Sequence, residues 1–232
     1  MKGLLVESPP ADVYGQMAMD EALCETLPAP FMLRFFRWKG TGITFGYAQR
    51  AREVEEAAAA RGLAGADMTR RPTGGGIVYH LSDLTFSLIF PSSGDDFRPM
   101  ETYDRLHRAI NSAYARRGFG FELSNARTAS YAVNAPVMDC FSKPVSLDIL
   151  YNGKKVLGGA LRKFGGRMLY QASLQTEDAR TGAARHEAAI AEGLAAELQA
   201  DWEKAPLAED ALARAGALAE EKYRSAEWIR RI

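Results

Sequence analysis

The sequence predicts an α/β fold in which strands pair through short turns and helices flank them, and three observations predict it. Asn152-Gly153 separates two strand-like runs, 145–151 and 154–161, the strongest short-range signal for a hairpin. Residues 68–71, a break at Pro72 to Gly76, and the runs 77–80 and 84–91 read as strand, glycine loop, strand. The segments 51–61, 184–199 and 208–230 are rich in alanine and charge and favour helix.

Taken in order, residues 16–27 (QMAMDEALCETL) read as a helix and the aromatic-rich 31–38 as a buried strand. After Gly40 and Gly42, residues 44–47 suit a second short strand, and the helix 51–61 ends naturally at Gly62. Residues 100–117 place Leu106, Ile110 and Tyr114 at helical spacing, with Gly118 and Gly120 closing the element. A loop-rich stretch then runs to Pro144, and 168–174 is expected to add a third strand to the hairpin. No repeat or low-complexity linker interrupts the 232 residues. The expectation is one catalytic domain over 1–232 with a helical end from about 184 to 232.

Lys plus Arg (29) balance Asp plus Glu (29), so no global field points to nucleic acid or a membrane surface. Charge recognition must be local, and Arg70, Arg71, Lys154, Arg162, Lys163 and Arg167 are expected to form a basic rim. Residues 1–10 lack the basic flank and apolar run of a signal peptide, and no stretch reaches the ~18 apolar residues of a membrane helix. A cytoplasmic protein is expected. The two cysteines, Cys24 and Cys140, are too few for a disulfide framework and have no zinc-ligand spacing. Cys24 fits a small buried hydrophobe on the first helix.

Three constellations could carry chemistry. In Arg70-Arg71-Pro72-Thr73-Gly74-Gly75-Gly76-Ile77-Val78-Tyr79-His80, three glycines let backbone N–H groups approach an acyl carbonyl or phosphate, and the arginines add fixed positive charge. A bare GGG also serves as a tight strand connection, and His80 alone could be structural. The second is the hairpin. A two-residue turn at 152–153 sets Tyr151 opposite Lys154 and Leu150 opposite Lys155. Strict alternation then puts Ser146, Asp148, Leu150, Lys155, Leu157 and Gly159 on one face, with Val145, Leu147, Ile149 and Val156 on the other. Lys155 beside Gly158-Gly159 has room for a ligand, although an edge-strand lysine is often only solvated.

The third is Cys140-Phe141. A thiolate attacks thioesters and leaves again readily, so one cysteine can split a transfer into two easier steps, and a nearby lysine favours the thiolate. Spacing alone does not bring Cys140 to Lys155. The loop must fold back over the sheet.

These motifs resemble the biotin and lipoate protein ligase superfamily, which includes lipoate–protein ligases and octanoyltransferases. The resemblance covers Met17-Ala18-Met19-Asp20-Glu21-Ala22, Arg34-Phe35-Phe36-Arg37-Trp38, Thr44-Phe45-Gly46-Tyr47-Ala48-Gln49, the RRPTGGGIVYH loop and Gly153-Lys154-Lys155-Val156-Leu157-Gly158-Gly159-Ala160. It implies a mixed, largely antiparallel sheet flanked by helices, with the glycine loop and lysine strand lining one acyl tunnel. Lys155 would contact the acyl carbonyl.

Many ligases carry an aspartate directly after the loop histidine, where this chain has Leu81. The ending LTFSLIFP and Cys140-Phe141 with Asp148 eight residues on resemble the cysteine-dependent octanoyltransferases of the M type. Gly76 stands where those enzymes usually have arginine, and Gln16 where asparagine is frequent.

The resemblance implies octanoyl transfer from acyl carrier protein to Cys140, then to a lysine of a lipoyl domain or glycine-cleavage H protein, with no cofactor. Cys140 and Lys155 would be catalytic. Substrate binding falls to Arg70, Arg71, Thr73, Gly74, Gly75, Gly76, His80, Asp148, Gly158, Gly159 and Ala160, with oxyanion donors from the Gly75 and Gly76 amides. The alternatives are an ATP- and magnesium-dependent lipoate–protein ligase, in which Arg71 and Lys155 hold an adenylate phosphate, and a non-catalytic acyl-carrier or lipoyl-domain binding protein.

Overall fold

The computed structural model describes residues 1–26, 28–92, 98–125, 139–142 and 144–232. Leu27, the expected end of the first helix, and much of the loop-rich stretch before Pro144 lie outside the described residues.

The elements in chain order are β1 (Lys2–Glu7), α1 (Val13–Thr26), β2 (Met32–Phe35), β3 (Gly42–Phe45), α2 (Ala51–Ala60), β4 (Met68–Arg70), β5 (Val78–His80) and β6 (Leu84–Pro91). They continue with α3 (Pro99–Arg116), β7 (Glu122–Leu123), β8 (Ile149–Tyr151), β9 (Lys154–Phe164), β10 (Arg167–Leu174), α4 (Ala183–Leu198), β11 (Asp201–Pro206), α5 (Glu209–Leu218), a π-helical turn (Ala219–Tyr223) and α6 (Ala226–Ile229).

Eight strands form one sheet in the order β11-β1-β2-β6-β10-β9-β8-β7, and β4-β3-β5 form a second, smaller one. Among the described strands, only β1 with β11, β1 with β2, and β3 with β4 pair in parallel, so the fold is mixed and largely antiparallel, as expected. No helix among the described residues is long and apolar enough to cross a membrane.

Alternation in the central strands decides what each face of the large sheet does. In β6, Leu84, Phe86 and Leu88 face one core, where α3 contributes Tyr103, Leu106 and Ile110 and α4 contributes Ile190 and Leu194. On the other face Ile89 and Leu169 pack under α1 and α5. That second face also carries the polar pairs Gln171 opposite Ser87 and Ser173 opposite Thr85. It therefore offers hydrogen-bonding groups toward α1 and the small sheet. The small sheet has its own core of Ile43, Phe45, Val54, Ala58 and Ile77 beneath α2.

Helix ends follow local chemistry. Pro99 begins α3, where a missing N–H costs nothing, and Arg116 lies in its last turn before Gly118 at φ 79°. Removing the fully buried Ile110 side chain on this helix is expected to cost about 2–5 kcal/mol.

Three expectations are corrected. β1 and β11, at one edge of the sheet, pair with each other across the whole chain and were not legible as strands. The 208–230 helix is α5, a π-helical turn and α6. Residues 145–148 are a turn, with Asp148 N–H donating to the Val145 carbonyl at 3.2 Å and Leu147 at φ 72°, so the strand begins only at Ile149.

Candidate functional site

The hairpin forms at Asn152-Gly153 with Tyr151 opposite Lys154 and Leu150 opposite Lys155. A bulge follows, because Ile149 pairs with Leu157 and leaves Val156 as an extra residue. Strict alternation fails at that step. Leu157 joins the Ile149 side in the core, and Lys155 comes to lie over Gly158 instead of beside Gly159. A methyl group at Gly158 would overlap Lys155 Cε and Nζ, and one at Gly159 would overlap the Tyr170 ring. The two glycines are needed for different neighbours.

Lys155 is buried to 9% exposure, and its ammonium has two partners. It donates to Asp148 Oδ2 at 3.0 Å and to Cys140 Sγ at 3.8 Å. Burial pushes the Lys155 pKa down, but the neighbouring Cys140 and Asp148 charges outweigh it and leave the group raised. Asp148 is fully buried and also accepts from Val145 N at 2.7 Å and the Tyr103 hydroxyl at 2.6 Å. The Phe141 ring lies 5.1 Å from the same ammonium.

Cys140 reaches this place because Ile77, at the end of the glycine loop, bridges Asp139, and Cys140 N donates to the Ile77 carbonyl at 3.0 Å. Asp139 is itself held by Arg61 at 2.6 Å. Thus the strand leaving the glycine loop anchors Cys140 over the lysine strand, the fold-back that spacing alone left open. Cys24 is buried in α1, as expected, and burial drives its thiol pKa strongly upward.

The glycine loop closes on Cys140 from the other side. Gly75 has φ 91°, a conformation suited to glycine, and a Cβ there would stand 3.9 Å from Cys140 Sγ. A side chain at Gly46 would run into the Gly75 carbonyl, so two backbones touch at this point. Among the described residues, the Gly75 and Gly76 amides have no hydrogen-bond acceptor. Arg71 is buried and donates to the Gly74 and Gly76 carbonyls, both at 2.9 Å, and to Thr44 Oγ1 at 3.0 Å. All three acceptors are neutral. Burial lowers the Arg71 pKa to about 10, opposed by the charge of Cys140. Arg71 forms no ion pair among the described residues, which leaves a desolvated positive charge beside the thiol.

His80 continues the chain inward. Asp83 Oδ2 can only accept, so His80 Nδ1 carries the hydrogen of their 2.8 Å bond, and Nε2 meets the Thr44 hydroxyl at 2.8 Å. Thr85 and Ser173 donate to the same Asp83 oxygen at 2.6 and 2.7 Å. Trp38 stacks on the His80 ring, with centroids 4.2 Å apart. Thr73 is buried and donates to Gln171 Oε1 at 2.7 Å. Gln171 is fixed in turn by Asp20 at 2.7 Å, which ion-pairs with the buried Arg34.

A pocket opens between these groups. Met17, Phe36 and Val78 supply apolar walls, while Cys140, Arg71, Gly74, His80, Gly158, Gly159, Ala160 and Gln171 border it. A larger groove of about 670 Å³, lined by Met1, Phe31, Arg105 and Glu197, has no cysteine in its lining. Chemistry, not volume, marks the smaller pocket as the candidate site. Among the described residues no cluster of His, Cys, Asp or Glu could hold a metal ion.

Two expectations for this region are corrected. Arg70 is not brought to the pocket: its fully buried guanidinium donates to the carbonyls of Tyr47, Gln49, Trp228 and Ile229, clamping the carboxyl-terminal helix. Neither Arg70 nor Arg71 can belong to a basic rim, because both are buried. Asp83, Thr44, Gln171 and Tyr103 were missed. Asp83 lies three residues after His80, and Tyr103 extends the apolar stripe of α3 by one turn, so both had a signal.

The chain belongs to the lipoyl protein ligase A/B catalytic domain family, whose model matches residues 12–181. Among its curated relatives are octanoyltransferase LipM of Moorella thermoacetica, 30% identical over 179 residues, and of Kyrpidia tusciae, 33% identical over 171 residues. These alignments take in 73% and 68% of this chain and 63% and 60% of the relatives, so the chain spans about three-fifths of their length. The fold is shared with a lipoate–protein ligase A bound with ATP, at 24% identity, TM-score 0.78 and 99% coverage of each chain. It is also shared with the bipartite lipoate protein ligase of Thermoplasma acidophilum, at 23% identity, TM-score 0.72 and coverage of 99% and 96%.

Proposed function

We propose that the protein is a cytoplasmic octanoyltransferase of protein lipoylation, acting as one catalytic domain through Cys140. The observation that carries this reading is the Cys140 sulfur, 3.8 Å from the Lys155 ammonium at the edge of a pocket with apolar walls. The naming of its relatives as octanoyltransferases supports it.

In this reading octanoyl arrives as a thioester on acyl carrier protein and its chain enters between Met17, Phe36 and Val78. The Cys140 thiolate, with the Lys155 and Arg71 cations beside it, attacks the carbonyl. The Gly75 and Gly76 amides receive the developing oxyanion, the carbon–sulfur bond to the carrier breaks, and the carrier leaves as a thiolate that takes its proton from solvent. The neutral amine of a lysine on a lipoyl domain or glycine-cleavage H protein then attacks the Cys140 thioester, forming the amide, restoring the thiolate and releasing one proton to solvent. Asp148 keeps Lys155 protonated and in place. No cofactor enters either step.

The reading is tested by transfer from octanoyl carrier protein to an apo lipoyl domain without ATP. Product that forms without ATP and is lost in Cys140→Ala supports it. Transfer that starts from free octanoate, requires ATP and magnesium and survives Cys140→Ala would assign the chain to the ligases instead. No transfer in either assay would favour a non-catalytic binding protein.

A further inference from the structure

We propose that Tyr103, on α3, is a positioning residue that keeps the Lys155 ammonium shared between Asp148 and Cys140. Its hydroxyl donates to Asp148 Oδ1 at 2.6 Å and accepts from the Gly159 amide at 3.2 Å, tying the buried carboxylate to the strand that floors the pocket. The other Asp148 oxygen holds Lys155 and the Val145 amide. Tyr103 is thus the side chain that occupies Oδ1 among the described residues. Burial first, and the Asp148 charge second, raise the Tyr103 pKa well above its ordinary value, so the hydroxyl remains a donor across working pH.

One turn further along α3, His107 holds the preceding residue. Its ring stacks on Tyr103 with centroids 3.8 Å apart. The Leu147 carbonyl accepts from His107 Nδ1 at 2.8 Å, which leaves Nε2 to accept from the Tyr170 hydroxyl at 2.7 Å. Two side chains four residues apart therefore fix Leu147 and Asp148, in a turn whose Leu147 has φ 72°. An α3 face that would otherwise be ordinary core aims the carboxylate.

Removing the Tyr103 hydroxyl leaves Asp148 Oδ1 buried without a donor, and Lys155, with three N–H groups, is the donor able to supply one. The ammonium is drawn off the sulfur, and the less neutralised carboxylate also opposes a negative charge there. Both effects lower the thiolate fraction. Arg71 and Lys155 are the cations facing Cys140, and Asp148 is the anion behind Lys155, so a change in Asp148 is felt through Lys155.

The test is alkylation of Cys140 by iodoacetamide, followed by mass in a Cys24→Ala background at pH 7 and pH 10. This readout needs no acyl substrate, so it stands or falls separately from the transferase reading. Tyr103→Phe is expected to slow alkylation about three- to tenfold at pH 7 and to match the parent within about twofold at pH 10, above the ordinary range of cysteine thiols in general. Tyr114→Phe, which removes a buried α3 hydroxyl whose partner is His186 and not Asp148, is expected to change neither rate. With Asp148→Asn already present, Tyr103→Phe should add nothing, which keeps the test decisive if the single variant is unstable. An unchanged rate at pH 7, an equal loss at both pH values, or an equal loss in Tyr114→Phe would overturn the proposal.

Discussion

The Lys155 ammonium lies 3.0 Å from Asp148 Oδ2, and in that pair neither side chain is more than 5% exposed. A buried pair is strongly destabilised when one partner alone is removed, because the other charge remains uncompensated. Lys155→Ala is therefore expected to lower transfer at least about 100-fold and to cost about 3 kcal/mol of stability. Adding Asp148→Asn should recover most of the stability and none of the activity. Lys154, exposed in the hairpin, should tolerate alanine in both respects. Urea unfolding and transfer rates of the three variants and the parent check this.

Gly158 makes a separate prediction possible. A methyl group there overlaps the end of the Lys155 side chain, which can swing away, so Gly158→Ala should displace the ammonium while the strand survives. Activity is expected to fall about 10- to 100-fold with little change in melting temperature. Gly46→Ala instead meets the Gly75 backbone, which cannot move without the loop, and should lower the melting temperature as well. Equal thermal effects of the two variants would contradict the contacts described.

His107 predicts acid sensitivity. Burial is the largest cause holding its pKa down to about 3, so the unfolded chain, with an ordinary value near 6.5, binds a proton that the folded chain refuses. Between these values the unfolded state carries more protons, and stability is lost as pH falls from about 6.5 toward 3. The contribution is about 2 kcal/mol between pH 7 and pH 5. Urea unfolding at both pH values should show His107→Gln losing that much less than the parent.

Arg70 predicts a conformational effect at a distance from the thiol. Its four carbonyl partners tie Tyr47 and Gln49 to Trp228 and Ile229. Arg70→Met should make the carboxyl-terminal residues from Ser225 onward more sensitive to trypsin, read by cleavage at Arg230 and Arg231. Arg71→Met should leave that end protected and lose transfer. The reverse assignment would contradict the different surroundings of these adjacent arginines.

These adjacent arginines also show how far the sequence could be read. The glycine loop, the Asn152-Gly153 turn and the pairing of Leu150 with Lys155 follow from local chemistry, and all appear in the structure. Which arginine turns toward the pocket depends on the carboxyl-terminal helix docking some 158 residues away, which no local pattern encodes. The bulge at Val156 is similar: period-two alternation is a local rule, and the extra residue arises where 145–148 close into a turn on Ser124 instead of extending the strand. The β1–β11 pair joins the two ends of the chain and had no nearby partner to reveal it. Asp83 and Tyr103 were readable in principle. A buried tyrosine on an apolar stripe needs a hydrogen-bond partner, and an aspartate three residues from a motif histidine is a natural one.

The covalent role of Cys140 is the central claim, and intact-protein mass spectrometry after incubation with octanoyl carrier protein, without ATP or acceptor, tests it most directly. One octanoyl adduct is expected on Cys140, which disappears when an apo lipoyl domain is added and never forms in Cys140→Ala. An adduct that persists in Cys140→Ala, or full transfer activity in that variant, would contradict it.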